Sequence, residues 1–330
     1  MNDKPKKFLP RDGGGSFSLP PETGVIKRMV GMDGFMEIYT VHATYRVKTP
    51  DHLDPERAVP NMPWSQSAHS LAGASNPIVA RIFLQSIEAM GNWSLRNGNV
   101  EAVKRHLHAC KEEAIICEGA YKNLKPAYDA AIAQVNDRKL NVQRNMVECP
   151  SLPNLRDEAT AFLTSAKRAL QFVGDVFNQF YAPDGKKPLV NNANFNYAIT
   201  RLENSQPANQ ALLDYLRKVE PVTKRFVDLR NGLEHQNETV FTVIENFQLT
   251  PKGIAPPSWR RNSLAVDGPV LEEMHFFIQF LIEFCENVFF FGLLDNIAPN
   301  FSIGFQVEQL ADDKVDPECP IRFRLKPLLE

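Results

Sequence analysis

The sequence predicts a mainly α-helical protein: an antiparallel bundle of four or five helices with a small β-hairpin insertion, preceded by an α+β N-terminal region. Three observations predict it. Apolar residues recur at spacings of three and four through Ala159–Phe180 and again through Val270–Phe289, as in helices that bury one stripe. Between them, Thr239–Leu249 turns β-rich. Ahead of them, Phe35–Val47 alternates with period two, as a half-buried strand does.

Taken in order, residues 1–25 are rich in Pro, Gly, Ser and Lys, include Gly13-Gly14-Gly15, and are expected to be a disordered arm. The strand over Phe35–Val47 is followed by a loop with Pro50, Pro55, Pro60 and Pro63. Helices are expected near Pro77–Met90 and over Val100–Val135, the second capped by Asn99 and kinked or split at Pro126. The run Cys149-Pro150-Ser151-Leu152-Pro153-Asn154 marks a domain boundary. A long helix then buries Ala159, Phe162, Ala166, Ala169, Leu170, Val173, Val176, Phe177 and Phe180, with Asp157 and Glu158 favoured by the dipole of its first turn. Pro183-Asp184-Gly185 ends it.

A short helix is expected over Asn194–Asn204, another opens at Pro207, and Pro221 suits the first turn of a third that carries Val222, Phe226, Leu229 and Leu233 inward. Asn262–Val266 is expected to pair with Thr239–Leu249. After the last long helix, Phe301–Gln306 and Ile321–Leu325 read as short strands. The organisation is therefore an arm over 1–25, an α+β region over 26–150, a helical domain over 151–298 and a β extension over 299–330.

Bulk properties narrow the function. A net charge of −2 advertises no nucleic-acid or membrane partner, so any RNA contact must come from a local patch. Five cysteines without a Cys-x-x-Cys pair argue against a zinc ribbon and a secreted disulfide framework, and fit reduced thiols in a cytoplasm. No signal-peptide core follows the first residues. The greasy stretch Phe276–Leu294 contains Gln279, Glu283, Glu286 and Asn287, so a buried helix is expected there and no membrane span. His106 and Cys110 share a helical face, but His108 points away, and no metal site is expected. Walker, dinucleotide and Gly-x-Ser-x-Gly motifs are missing.

The most informative segment is Arg230-Asn231-Gly232-Leu233-Glu234-His235 at the end of a patterned helix. Residues five apart on an ideal helix are separated by about 140°, so Arg230 and His235 share a site only if the helix ends there. Gly232 weakens the helix and Gln236-Asn237 favours an end, which lets His235 turn toward Arg230. A histidine titrating near neutrality serves as base or acid. An arginine donates two hydrogen bonds to a phosphate. Upstream, Arg217-Lys218 and Lys224-Arg225 lie seven apart and form either an RNA-binding stripe or a solvated charged face. Trp259 beside Arg260-Arg261 reads either as a base-stacking residue or as loop packing. His235 itself also reads as a capping residue, and Arg230 as an ion-pair partner of Asp228 or Glu234.

An Arg-Asn pair with a His five residues beyond the Arg, at a helix end within a bundle spanning about 155–295, resembles the HEPN superfamily. The resemblance implies a homodimer that pools two motifs in one cleft and cleaves single-stranded RNA by 2′-OH attack, without metal or cofactor. Arg230, Asn231 and His235 would be the catalytic residues, and Arg217, Lys218, Lys224 and Arg225 would bind RNA. It also implies a toxin or antiviral-defence setting, with an antitoxin or regulatory protein as further partner. The alternative is a non-catalytic dimeric scaffold of the same fold that binds a partner protein or a nucleotide. Glu234 is the departure that matters, because a carboxylate turned inward opposes an anionic substrate.

Overall fold

In a computed structural model the chain forms two units, one made of Met1–Ala89 with Val307–Lys326 and the other of Met90–Gln306 with Pro327–Glu330. The structure describes Arg11 and residues 13–91, 94–96, 98–137, 142–143, 146–182, 187–204, 209–262, 268–297 and 304–328.

The first unit is built on a four-stranded antiparallel sheet in the order β1 (Ile26–Met32), β2 (Phe35–Thr40), β3 (Thr44–Lys48), β4 (Ser65–Ser70). The single strand expected over Phe35–Val47 is thus two. The alternation runs through a tight reversal at 41–43, where the Thr40 N–H and hydroxyl both donate to the Ala43 carbonyl. Gly73 makes that reversal possible, since a side chain there would strike the backbone of Thr40, Val41 and Ala43. Across the sheet Glu37 faces Arg46, and this fully buried carboxylate is held by the Arg46 Nε at 2.9 Å and by the Tyr39 hydroxyl.

The expected disordered arm is corrected from Arg11 onward, because side chains there find partners; residues 1–10 and Asp12 lie outside the described residues. Arg11 is buried between Asp51 and Asp54, at 2.8 and 3.0 Å, in and just after α1 (Pro50–Leu53). Phe17 and Leu19 pack on the core formed by Ile38, Ala43, Tyr45 and Val47. The segment Ile78–Leu84 is a π-helix that continues as α2 (Gln85–Met90). The C-terminal segment belongs to this unit: the Gln85 Oε1 accepts from the backbone N–H groups of Arg322 and Phe323, and Lys27 pairs with Asp316 and Glu318.

The second unit holds the long helices. α3 (Val100–Asn136) is capped by the Asn99 side chain, as expected, but runs unbroken through Pro126. After the pair β5 (Val142–Gln143) and β6 (Met146–Val147) come α4 (Leu155–Tyr181), α5 (Asn196–Glu203) and α6 (Gln210–Glu234). Pro221 opens no new helix; it lies inside α6. α6 is instead capped by the Asn209 side chain, whose Oδ1 accepts from the Leu212 N–H. The helix end expected at Pro183-Asp184-Gly185 and the helix start expected at Pro207 lie outside the described residues. A three-stranded sheet follows in the order β11-β10-β7, with a separate hairpin of β8 (Gln248–Thr250) and β9 (Gly253–Ala255); here β7 is Thr242–Glu245, β10 Ser258–Arg261 and β11 Gly268–Pro269. β7 pairs with Ser258–Arg261, and Asn262 continues the expected pairing, its N–H donating to the Phe241 carbonyl at 3.0 Å; residues 263–266 of the expected strand lie outside the described residues. α7 (Val270–Asn296) comes next, and β12 (Gly304–Gln309) pairs with β13 (Phe323–Leu328) near the C-terminus.

The expected division at 151 does not coincide with these units, for α3 packs on α4 and α7. Its Val103, Leu107, Cys110, Ala114 and Cys117 are buried with the α4 stripe, every predicted member of which is buried. The protein is accordingly mixed α+β and not mainly α, with the helices gathered in the second unit. α7 has the length and apolar content to cross a membrane, yet 67% of its most apolar window is buried within the fold. The five cysteines are unbridged.

Phe162 of α4 centres an aromatic cluster, with ring centroids 6.4 Å from Phe226, 5.9 Å from Trp259 and 5.7 Å from Phe277. Replacing Phe162 by alanine is expected to cost about 3–5 kcal/mol, measured as a lowered denaturant midpoint.

Candidate functional site

α6 delivers the motif. The helix ends where the sequence says it should: Glu234 is its last residue and His235 its C-cap, with the His235 N–H donating to the Asn231 carbonyl at 2.9 Å. Gly232 does not fray it. β7 passes so close that a side chain at 232 would meet Thr242, whose hydroxyl donates to the Leu229 carbonyl at 2.7 Å. The glycine thus lets the insertion pack on the last turn and hold it in place.

The three motif residues have different surroundings. Arg230 is mostly buried, with its side chain 16% exposed; its Nη2 pairs with Glu234, which is 39% exposed, and its Nη1 lies 3.5 Å from the Asn231 Oδ1. Its Nε is buried and makes no hydrogen bond with any described residue. Asn231 Oδ1 also accepts from the Lys167 Nζ at 3.0 Å. The His235 imidazole is exposed and makes no hydrogen bond with any described residue. Asp228, the other partner considered for Arg230, is taken by Arg261 at 2.7 Å.

Lys167 was missed by sequence reasoning. It lies on α4 beside the apolar stripe, four residues after Leu163 and three before Leu170, so a cation at a flank of the buried face was its available signal. Burial holds its ammonium below the usual lysine range, the charge of Arg230 lowers it further, and Glu234 pulls the other way. Two cations and one carboxylate therefore meet around Asn231.

The basic stripe divides. Arg217 is engaged by Glu203 at 2.6 Å and Asp214 at 3.2 Å. Arg225 is engaged by Glu273, which also accepts from the Trp259 indole. Lys218 and Lys224 are exposed and form no ion pair with a described residue. Trp259 is fully buried in the aromatic cluster, so it packs and offers no face for a base. His106 stands 3.8 Å from Asp175 and Cys110 is buried, and the two do not form a metal cluster among the described residues.

Beside the motif lies a cleft of about 600 Å³ between the loop 187–195 with the first turn of α5 and one face of α6. Glu220, Thr223, Lys224, Val227, Asp228 and Asn231 line it from the helix, at spacings of three and four. Asn231 thus belongs both to the Arg230–Lys167 cluster and to the cleft. Compared with protein-family models, with curated proteins and with solved structures, the chain finds no match in any of the three.

Proposed function

We propose that the second unit is a HEPN-like domain acting as a metal-independent endoribonuclease on single-stranded RNA, at a composite site formed by two copies of the chain. The observation that carries this reading is the convergence of Arg230 and Lys167 on Asn231, next to an exposed imidazole at the helix end. The ribose 2′-oxygen attacks phosphorus, the P–O5′ bond breaks, and the products are a 2′,3′-cyclic phosphate and a 5′-hydroxyl. His235 of one copy takes the 2′ proton, and His235 of the second copy supplies one to the leaving oxygen. Arg230 exchanges Glu234 for the scissile phosphate, and its donors stabilise the charge that builds there.

The test is incubation of the purified cytoplasmic protein with a labelled single-stranded RNA in EDTA. Fragments ending in cyclic phosphate are expected, together with a dimer by sedimentation. RNA that stays intact with a dimeric protein sinks the nuclease reading. A toxin setting further expects growth arrest on expression, relieved by His235→Ala and countered by an antitoxin or regulatory partner.

One observation favours a second reading. Glu234 already neutralises Arg230, as suits a non-catalytic dimeric scaffold that binds a partner protein or a nucleotide. Binding without cleavage in the same assay selects it.

A further inference from the structure

The loop 187–195 and the first turn of α5 form a built wall. Asn178 of α4 is buried and clamps it with three hydrogen bonds: its Nδ2 donates to the Val190 carbonyl at 2.8 Å, and its Oδ1 accepts from the N–H groups of Leu189 and Val190 at 3.0 and 2.9 Å. Val190 then sits against Gly174, where a side chain would collide with it. Asn192 and Ala193 follow in the left-handed region, at φ 52° and 58°, and the chain reverses with the Asn194 N–H on the Asn191 carbonyl. A left-handed alanine is a strained conformation that persists only where its surroundings hold it.

This wall lines the cleft with Asn191, Asn192, Asn194, Lys187 and Tyr197; the Asn194 Oδ1 accepts from the Asn196 N–H at 3.0 Å and the Asn192 Oδ1 from the Gln171 Nε2 at 3.4 Å. Tyr197 is 41% exposed, and Lys187 and Arg201 gather at its ring, 5.5 and 6.0 Å from the centroid. Opposite stands Lys224, exposed and without an ion pair among the described residues. Of the two carboxylates that line the cleft, Asp228 is neutralised by Arg261, which leaves Glu220 as an acceptor. The volume lies within the range of small-ligand pockets. A part-exposed aromatic ring, amides and a carboxylate for base edges, and the Lys224 ammonium for phosphate are together what an unpaired nucleotide requires.

We propose that this cleft binds one unpaired nucleotide of a single-stranded RNA, its base against Tyr197 and its phosphate at Lys224. The assignment rests on the ribonuclease reading, because Asn231 joins the cleft to the Arg230 cluster and places the next phosphate of the strand there. The cleft then feeds the strand to the motif and selects unpaired over duplex RNA.

The experiment uses the full chain carrying His235→Ala, a 5′-fluorescein 12-nucleotide single-stranded RNA read by anisotropy, and the four nucleoside 5′-monophosphates read by calorimetry. Tyr197→Ala is expected to weaken RNA binding about fivefold to a hundredfold, with Tyr197→Phe restoring it. Lys224→Ala is expected to lower the slope of log affinity against log salt by about 0.7. Both side chains are exposed, and unchanged unfolding midpoints confirm that the variants fold. RNA binding insensitive to Tyr197→Ala and Lys224→Ala overturns the proposal, as does absence of binding. Monophosphates that bind as tightly as the 12-mer also overturn it, by identifying a free nucleotide as the ligand. Sensitive binding with an uncleaved wild-type digest removes the nuclease reading and leaves the cleft standing. Cleavage with insensitive binding does the reverse.

Discussion

His235→Ala is expected to slow RNA cleavage by about 100- to 10,000-fold while leaving the unfolding midpoint where it was. The kinetic part follows from the value of a positioned acid or base in proton transfer. The stability part follows from the local geometry. The imidazole is exposed and unbonded among the described residues, and the His235 contact that ends α6 is made by its backbone N–H, which alanine keeps. A capping role for the side chain predicts the opposite pair of results, a lowered midpoint and unchanged cleavage. Single-turnover cleavage in EDTA and thermal unfolding on the same preparation decide between them.

Arg230→Ala is expected to lower cleavage by about 100- to 1,000-fold, the usual loss when one donor to a developing oxyanion is removed. Its effect on stability is expected to be small. The pair with Glu234 is partly solvated on the carboxylate side, and pairs of that kind contribute about 1 kcal/mol or less. Loss of the guanidinium also relieves its repulsion of Lys167, whose ammonium is already destabilised by burial. Glu234→Gln supplies the complementary result. It frees the guanidinium, so RNA affinity is expected to rise and its salt dependence to steepen. Should Arg230→Ala unfold the protein and Glu234→Gln leave RNA affinity unchanged, Arg230 is a structural ion-pair residue and the scaffold reading prevails.

Much of the helical architecture was legible. The spacing of Ala159, Phe162, Ala166, Ala169 and Val173 identifies the buried face of α4, since burial on a helix repeats every three or four residues whatever the partner. Asn99 and the end of α6 at Glu234 were legible for an equally local reason: caps and terminators act within one turn. Proline misled twice. Pro126 and Pro221 lie inside continuous helices, because the packing of α3 and α6 outweighs the loss of one hydrogen bond. The reversal at 41–43 was hidden because its alternation runs straight through, and the glycine that permits it, Gly73, is thirty residues away.

At the site, the sequence supplied Arg230, Asn231 and His235 as a group and warned of Glu234. It did not supply Lys167, which reaches Asn231 from another helix. It also grouped Arg217, Lys218, Lys224 and Arg225 as one stripe. The partners that neutralise Arg217 and Arg225 include Glu203 and Glu273, which stand on different helices.

By itself, then, the sequence determined what depends on neighbours within a turn or two: the buried helix faces, the helix that stops before His235, and the residue types gathered there. Tertiary structure alone decided the joining of α3 to α4, the burial of Trp259, the clamp of Asn178 on its loop and the pairing of each charge. Those outcomes depend on contacts between segments far apart in the chain. Their free energy comes from burial and charge neutralisation, which no local pattern encodes.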